Sequence, residues 1–239
     1  MDDSLTDLSL IVPFRNEKEY AKKVIVAIYD YFSGKKIDFE VIAVDDSTDE
    51  TWDILKSLEK KYKNFKAVQG DKPPGYGKAI RKGFDRAKGN VLLPFNGDMC
   101  DSLDDAVRYL KIIKDEGYDM AFGSRYMKGG KVINYPSNKI LVSKLGNLFL
   151  KVLFGIKCSD VTNTFKGFSR KSLQVIKPQA DSYEIGLELA LKGVKKGLTY
   201  KTIPISWTGR KFGVSKMKIL KSVKRHFIMS MKILFGVDS

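Results

Sequence analysis

Apolar and polar positions along the chain switch repeatedly between two periods. Leu8 to Pro13 is a short, almost unbroken apolar run, the pattern of a strand buried on both faces. Ala21, Val24, Ile25, Ile28 and Phe32 then recur at helical spacing, and Asn16, Glu17 and Glu19 read as a capped helix start before them. Phe39 to Val44 repeats the strand pattern, Asp45 to Asp49 reads as a turn, and Trp52, Leu55, Leu58 and Tyr62 form a second helical stripe. A strand near Phe65 to Val68, a helix from about Lys78 to Ala87, an apolar run from Val91 to Phe95, a helix from Ser102 to about Glu116 and a strand at Met120 to Phe122 close the series. Such alternation predicts an α/β fold with a Rossmann-like, mostly parallel central sheet and helices on both faces. Ligands bind such sheets at the carboxyl ends of the strands. The polar clusters Arg15-Asn16-Glu17, Asp45-Asp46, Asn96-Gly97-Asp98 and Ser124-Arg125 all fall there.

From Ser137 the pattern changes. Ile140, Leu141, Val142, Leu145, Leu148, Phe149, Val152, Leu153 and Phe154 make a helix that is apolar around most of its girth, so it needs burial in protein or lipid. Near the end, Met217, Leu220, Val223, Phe227, Met231 and Leu234 are accompanied by Lys218, Lys221, Lys224, Arg225 and Lys232. A basic amphipathic helix from Lys216 to about Phe235 is expected, lying in a membrane interface or packed on the domain. The expected division is therefore a catalytic unit over 1–215 and this helix over 216–239.

Composition narrows the class. The 239 residues can bury a sizeable core, and 11% aromatic with 43% hydrophobic content fits a folded α/β protein. No stretch approaches the roughly 20 apolar residues of a spanning helix. Met1 to Asp7 is acidic and polar, unlike a secretory leader, so a cytoplasmic protein is expected. Cys100 and Cys158 are far apart with no metal-type spacing and are expected to be reduced thiols. A net charge of +15 draws polyanions: nucleic acid, anionic lipid or phosphorylated substrates.

Asp45-Asp46, in a turn after a buried strand, can accept hydrogen bonds from a base or ribose, and it serves equally as a turn and helix cap. Asn96-Gly97-Asp98 offers hard oxygen ligands of the kind that share Mg²⁺ or Mn²⁺ with substrate phosphates and water. Asp101 is a further candidate ligand or, with Ser102, a cap for the following helix. Arg125, Lys131 in a glycine loop, and Arg210-Lys211 with Ser215-Lys216 around Gly213 suit phosphate oxygens or a solvated loop. His226, the only histidine, sits in the basic helix, where a catalytic role is not expected.

Taken together, Ile11-Val-Pro-Phe-Arg-Asn-Glu17, Val44-Asp-Asp-Ser-Thr-Asp-Glu-Thr51, Gly75-Tyr-Gly-Lys-Ala79, Phe122-Gly-Ser-Arg-Tyr126 with Gly129-Gly130, and Asp160-Val-Thr-Asn-Thr-Phe-Lys-Gly-Phe168 appear in a fixed order. Glu188 and the segment from Pro204 through Arg210, Gly213, Ser215 and Lys216 follow them. From about Leu8 to Lys218 the chain resembles the dolichyl-phosphate mannose synthase group of glycosyltransferase family 2, which implies a GT-A fold. The resemblance implies transfer of one hexose, from GDP-mannose or a UDP-hexose, to a polyprenyl phosphate with inversion. It implies that Pro13, Arg15, Glu17, Asp45, Asp46, Gly77, Lys78, Asn96 and Gly97 line the nucleotide site. Asp98, with Asn96 and Asp101, would hold Mg²⁺ or Mn²⁺; Arg125, Arg210 and Lys216 would neutralise phosphates; Lys131 and Ser143 would join Arg125 at the acceptor phosphate. Asp160-to-Phe168 resembles a family strand, and Glu188 matches the glutamate of the helix after it.

Two departures stand out. The family's Asp-x-Asp with a further polar ligand reads Asn96, Asp98 and Cys100 here, and an amide oxygen and a thiol are poor partners for magnesium. The membrane-spanning extension of many relatives is not seen, which leaves the Lys216–Phe235 helix as the expected attachment to the cytoplasmic face of an anionic membrane, alone or with a separate membrane-protein partner. Two rivals remain. A glycosyltransferase acting on a saccharide or protein hydroxyl would need a carboxylate base, for which Glu188 or Asp160 is nominated. A nucleic-acid-binding domain would use the basic excess, but carboxylates at the strand ends would repel a phosphate backbone.

Overall fold

The structure, a computed structural model, describes residues 6–209 and 219–237. Its first half follows the alternation: β1 (Leu8–Phe14), α1 (Lys18–Phe32), β2 (Phe39–Asp45), α2 (Thr51–Glu59), β3 (Phe65–Gln69), α3 (Tyr76–Arg86), β4 (Val91–Pro94), α4 (Leu103–Lys114) and β5 (Met120–Ser124). Met120 to Phe122 does not close the series. There follow β6 (Lys131–Ile133), α5 (Ser137–Phe154), β7 (Lys166–Ser169), α6 (Arg170–Ile176), α7 (Ile185–Lys195), β8 (Tyr200–Pro204), β9 (Ser206–Thr208) and α8 (Ile219–Phe235).

The main sheet has seven strands in the order β3-β2-β1-β4-β7-β5-β8. The pairs β1–β2, β2–β3, β1–β4 and β5–β8 are parallel, and β7 lies antiparallel between β4 and β5. Successive strand side chains point to opposite faces, so one run feeds two cores. Leu10 and Val12 pack with Val24 and Tyr109 on one side, and Ile11 and Ile42 pack with Ile80 and Leu187 on the other. Of the Asp160–Phe168 segment only the end is a strand; Asp160 to Phe165 forms a loop.

One local expectation is corrected and another narrowed to one residue. Asn16 does not cap α1. It sits at φ 51°, in the left-handed region that asparagine tolerates, and its Oδ1 accepts from the Thr48 N–H at 2.8 Å, tying the end of β1 to the turn after β2. The cap expected from Asp101 with Ser102 is made by Ser102, whose Oγ accepts from the Asp105 N–H at the start of α4.

Among the described residues little packs over α5. Only Asn147 and Leu150 are buried, whereas Leu145 is 59% and Val152 77% exposed. α8 leans on the domain through Ile233 and Ser230, and Lys195 Nζ donates to the Leu234 carbonyl at 3.2 Å. Its Leu220, Val223, Phe227 and Phe235 stay exposed. Phe149 and Phe227 meet at 6.3 Å between ring centres, so α5 and α8 form adjoining apolar flanks. Among the described residues no helix is long and apolar enough to cross a membrane.

Candidate active site

A cavity of about 930 Å³ opens where β1, β2 and β4 end, the place the alternation predicts. Pro13, Arg15 and Glu17 follow β1, Asp46 follows β2, and Asn96, Gly97 and Asp98 follow β4; all line it. Lys78 from α3, Arg125 from the end of β5 and Ser143 from α5 face the same space. Asp45 does not: its side chain is buried and bonded to Ser47, leaving Asp46 as the cleft carboxylate. Burial raises the pKa of Asp46, opposed by a hydrogen bond from Gly75 N–H and the charge of Arg15.

Gly77 is also off the cleft wall. A Cβ there would lie 2.2 Å from the Ala180 carbonyl oxygen, so the glycine lets the start of α3 abut the 180–182 segment rather than a ligand. Gly97 likewise makes room for protein, since a Cβ would come within 2.8 Å of the Pro13 carbonyl oxygen.

The loop after β4 is bound internally. Asn96 Oδ1 accepts from the Tyr76 hydroxyl at 3.0 Å, and Asn96 Nδ2 and N–H both donate to Asp101 Oδ2, at 2.8 and 3.0 Å. Asp101 therefore lies beneath the cleft floor, not on it, and burial pushes its pKa up to about 7 against those hydrogen bonds. Cys100 is buried, and its thiol donates to the Asp98 carbonyl at 3.8 Å. Among the described residues no group of three or more His, Cys, Asp or Glu gathers as a metal cage. Magnesium and manganese need only one or two carboxylates when substrate phosphates and water complete the shell, so Asp98 on the cleft wall fits such an ion while Asn96 and Asp101 are engaged with each other.

Arg125 is held by Asp160, which is fully buried. Nε and Nη2 of Arg125 donate to the two carboxylate oxygens at 2.7 and 2.9 Å, and its backbone N–H donates at 3.0 Å. Burial alone would lower the guanidinium's pKa, but the Asp160 charge and hydrogen bonds reverse that and raise it. Trp207 and Tyr126 flank the guanidinium at 5.7 and 5.1 Å. Lys166, also fully buried, donates from Nζ to the carbonyls of Val161 and Asn163 and so shapes the loop between Asp160 and β7. Burial lowers its pKa to about 8.

Two expected site residues stand elsewhere. Lys131 is exposed on the β6–β9 pair and does not line the cavity, although Trp207 of the same pair does. Glu188 is fully buried in α7, accepting from the Gln179 and Ala180 N–H groups and from Lys192 Nζ at 2.7 Å, so it is a loop anchor and not a cleft group. Arg210, Lys211, Gly213, Ser215 and Lys216 lie outside the described residues.

The cleft also holds residues the sequence did not single out. Lys139, in the first turn of α5, lines it close to Ser143, and the Pro136-Ser137-Asn138 helix start was the available signal. Tyr183 stacks on Tyr76 at 4.7 Å, Glu184 and Asn163 line the wall beside it, and His226 and Ser230 of α8 extend the cavity along that helix. Nothing local marks these five positions, because segments distant in sequence bring them together.

The cleft lies at the sheet's carboxyl edge with carboxylates and cations on its wall, as in sugar-transferring α/β proteins, and the chain belongs to glycosyl transferase family 2, whose model matches residues 9–177. It is 30% identical over 214 residues to the dolichol-phosphate mannosyltransferase of Pyrococcus furiosus (88% of this chain, 59% of that protein). It therefore spans 59% of the length of that relative. It is 29% identical over 216 residues to the polyprenol monophosphomannose synthase of Mycolicibacterium smegmatis (87% of this chain, 80% of that protein). Among solved structures, glucosyl-3-phosphoglycerate synthase from Mycobacterium tuberculosis, in complex with Mn²⁺, UDP and glucosyl-3-phosphoglycerate, superposes with a TM-score of 0.71 at 18% identity, covering 99% of this chain and 82% of that one. The fold is thus GT-A.

Proposed function

We propose that this chain transfers a single hexose from a nucleotide-sugar, GDP-mannose or a UDP-hexose, to a polyprenyl phosphate with inversion at the anomeric carbon. One observation carries the reading: one cavity is lined by carboxylates Asp46 and Asp98, by cations Arg125 and Lys139, and by α5 and α8, most of whose large apolar residues stay exposed. A lipid phosphate needs all three. The printed activities of the two relatives support the acceptor class, and the manganese of the structural neighbour supports a divalent cation.

Asp46, with Pro13, Arg15 and Glu17, holds the base and ribose. Mg²⁺ or Mn²⁺ at Asp98 would neutralise the diphosphate leaving group. Arg125, Lys139 and Ser143 hold the acceptor phosphate, with Arg210 and Lys216 contributing further positive charge. A phosphate monoester with a second ionisation near pH 6 is a dianion at neutral pH. One of its oxygens attacks the anomeric carbon as the bond from that carbon to the diphosphate breaks, and the electron pair leaves with the nucleoside diphosphate. No proton has to be removed, so the protein's work is to position two anions and balance their charge. The hydroxyl-acceptor alternative is disfavoured at its nominated bases, because Glu188 and Asp160 are both committed to buried ion pairs.

Basic α8 and the outer residues of α5 then rest on an anionic membrane at its cytoplasmic face. The test is a screen of GDP- and UDP-sugars, with and without Mn²⁺, for transfer to a polyprenyl phosphate. A labelled lipid product with one donor is expected, and Asp98→Ala should lower its rate by about 10²-fold or more at limiting Mn²⁺. Sugar transfer only to soluble hydroxyl acceptors, or near-normal transfer by Asp98→Ala, overturns the reading.

A further inference from the structure

Two residues of the cleft wall each carry a buried polar atom that finds no partner among the described residues: Oε2 of Glu184 and Nδ2 of Asn163. Glu184 is 8% and Asn163 7% exposed, so neither atom is simply solvated. Proteins rarely leave buried donors and acceptors unmade, and a cavity wall is where a ligand satisfies them.

Asn163 is held through its side chain and Glu184 through its backbone. Asn163 Oδ1 accepts from the Phe165 N–H at 3.2 Å, and its carbonyl accepts from the buried Lys166 ammonium, which leaves the amide NH₂ unsatisfied. Glu184 is the residue before α7; its carbonyl accepts from the Glu188 N–H at 2.9 Å. The two segments touch: a Cβ on Gly186 would lie 3.1 Å from the Asn163 carbonyl oxygen and 2.9 Å from the Thr164 Cα. The neighbouring Tyr183 stacks on Tyr76, whose hydroxyl donates to Asn96, two residues from Asp98. The unsatisfied pair is thus linked through two rings to the loop proposed for the diphosphate.

The chemistry of the pair selects its ligand. A cation would suit the carboxylate but meet the amide's positive N–H edge, and a phosphate would suit the amide but meet the carboxylate. A hydroxyl both donates and accepts, so neighbouring hydroxyls on a sugar ring satisfy both atoms without a net charge. We propose that Glu184 and Asn163 form the hydroxyl-recognition subsite for the donor's hexose and decide which sugar is accepted. A site built to bond a hydroxyl discriminates strongly against an analogue lacking it, because its own buried groups are then left unpaired. The proposal rests on the transferase reading given above.

The experiment measures binding of a nucleoside diphosphate, the matching nucleotide-hexose and its monodeoxy analogues, by calorimetry with Mn²⁺ and no acceptor. Wild type is compared with Glu184→Gln, Glu184→Ala and Asn163→Ala, each checked for an unchanged thermal midpoint. The variants should bind the nucleoside diphosphate within twofold of wild type and the nucleotide-hexose roughly tenfold more weakly. At least one deoxy analogue should bind wild type about tenfold more weakly than the full sugar and lose that difference in Glu184→Ala; a purely structural role would not produce this. Should the variants unfold, the deoxy series on wild type still decides: no penalty for any missing hydroxyl overturns the subsite. Unchanged nucleotide-hexose affinity in folded variants overturns it too. A wild-type chain that binds neither nucleotide nor nucleotide-hexose sinks the transferase reading first, and the subsite with it.

Discussion

Glu188 offers the sharpest separation of a structural from a catalytic role. Its side chain is fully buried and its partner Lys192 is 8% exposed, with 2.7 Å between them. Glu188→Ala leaves that ammonium buried without its carboxylate, which costs about 3–5 kcal/mol. The Ala180 N–H, in a residue 4% exposed, loses its acceptor as well, for about 1–3 kcal/mol more. At about 2–4 °C per kcal/mol for a chain of this size, the first contribution alone lowers the thermal midpoint by roughly 6–20 °C. Removing both charges should recover much of the loss, because a buried pair replaced by apolar groups of similar volume is often neutral. Glu188→Met with Lys192→Met is therefore expected to melt well above Glu188→Ala. Thermal melts by circular dichroism, paired with transfer assays at least 10 °C below each midpoint, read both properties. A midpoint shift under about 3 °C for Glu188→Ala would refute the anchoring argument. So would a double variant that regains its midpoint but stays more than about 100-fold slower than wild type, since no structural debt would then explain the lost rate.

Three further outcomes are expected. Arg125→Lys keeps the charge but loses the two-pronged grip on Asp160, and at about 1.5–3 kcal/mol for charged hydrogen bonds kcat/KM should fall roughly 10- to 150-fold; a fall under threefold contradicts the assignment. Leu145→Asp with Val152→Asp on the outer side of α5 should reduce co-sedimentation with anionic vesicles by about tenfold or more at an unchanged thermal midpoint, and equal binding would remove α5 from the membrane contact. Burial lowers the pKa of His226, with Lys166 acting in the same sense and the Glu184 carboxylate opposing. The native state thus takes up this proton less readily than the unfolded chain, so the group costs stability as pH falls below its unfolded value of about 6.5. His226→Phe should show a smaller loss of thermal midpoint between pH 7.5 and 5.5 than wild type, and an equal loss would rule the histidine out as the cause.

The first half of the fold was legible because each strand and helix there carries a strong period of its own, and the cleft residues follow directly from where those strands stop. The second half was not. β7 and β8 are short and flanked by loops, and Met120 to Phe122 looked terminal because the strand that pairs with it comes after α5. Asn16 carries the residue type of a helix cap, yet a loop distant in sequence, at Thr48, claimed its side chain. Glu188 carried a family position but no local sign of Gln179 and Ala180 folding back over it. Asn163 and Glu184 become visible only when hydrogen bonds are tallied in three dimensions.

The antiparallel strand wedged between β4 and β5 has a consequence for how the chain matures. β3, β2, β1 and β4 can pair as soon as Pro94 is made, but the outer rim of β4 stays bare until Lys166 to Ser169 arrive, and β5 meets the sheet only through them. Such distant pairings form slowly and leave sticky rims exposed meanwhile. A ribosome halted before Asp160 would thus hold a half-built sheet with the loops after β1, β2 and β4 present and Arg125 still without its carboxylate, and that nascent species is where chaperone capture should concentrate.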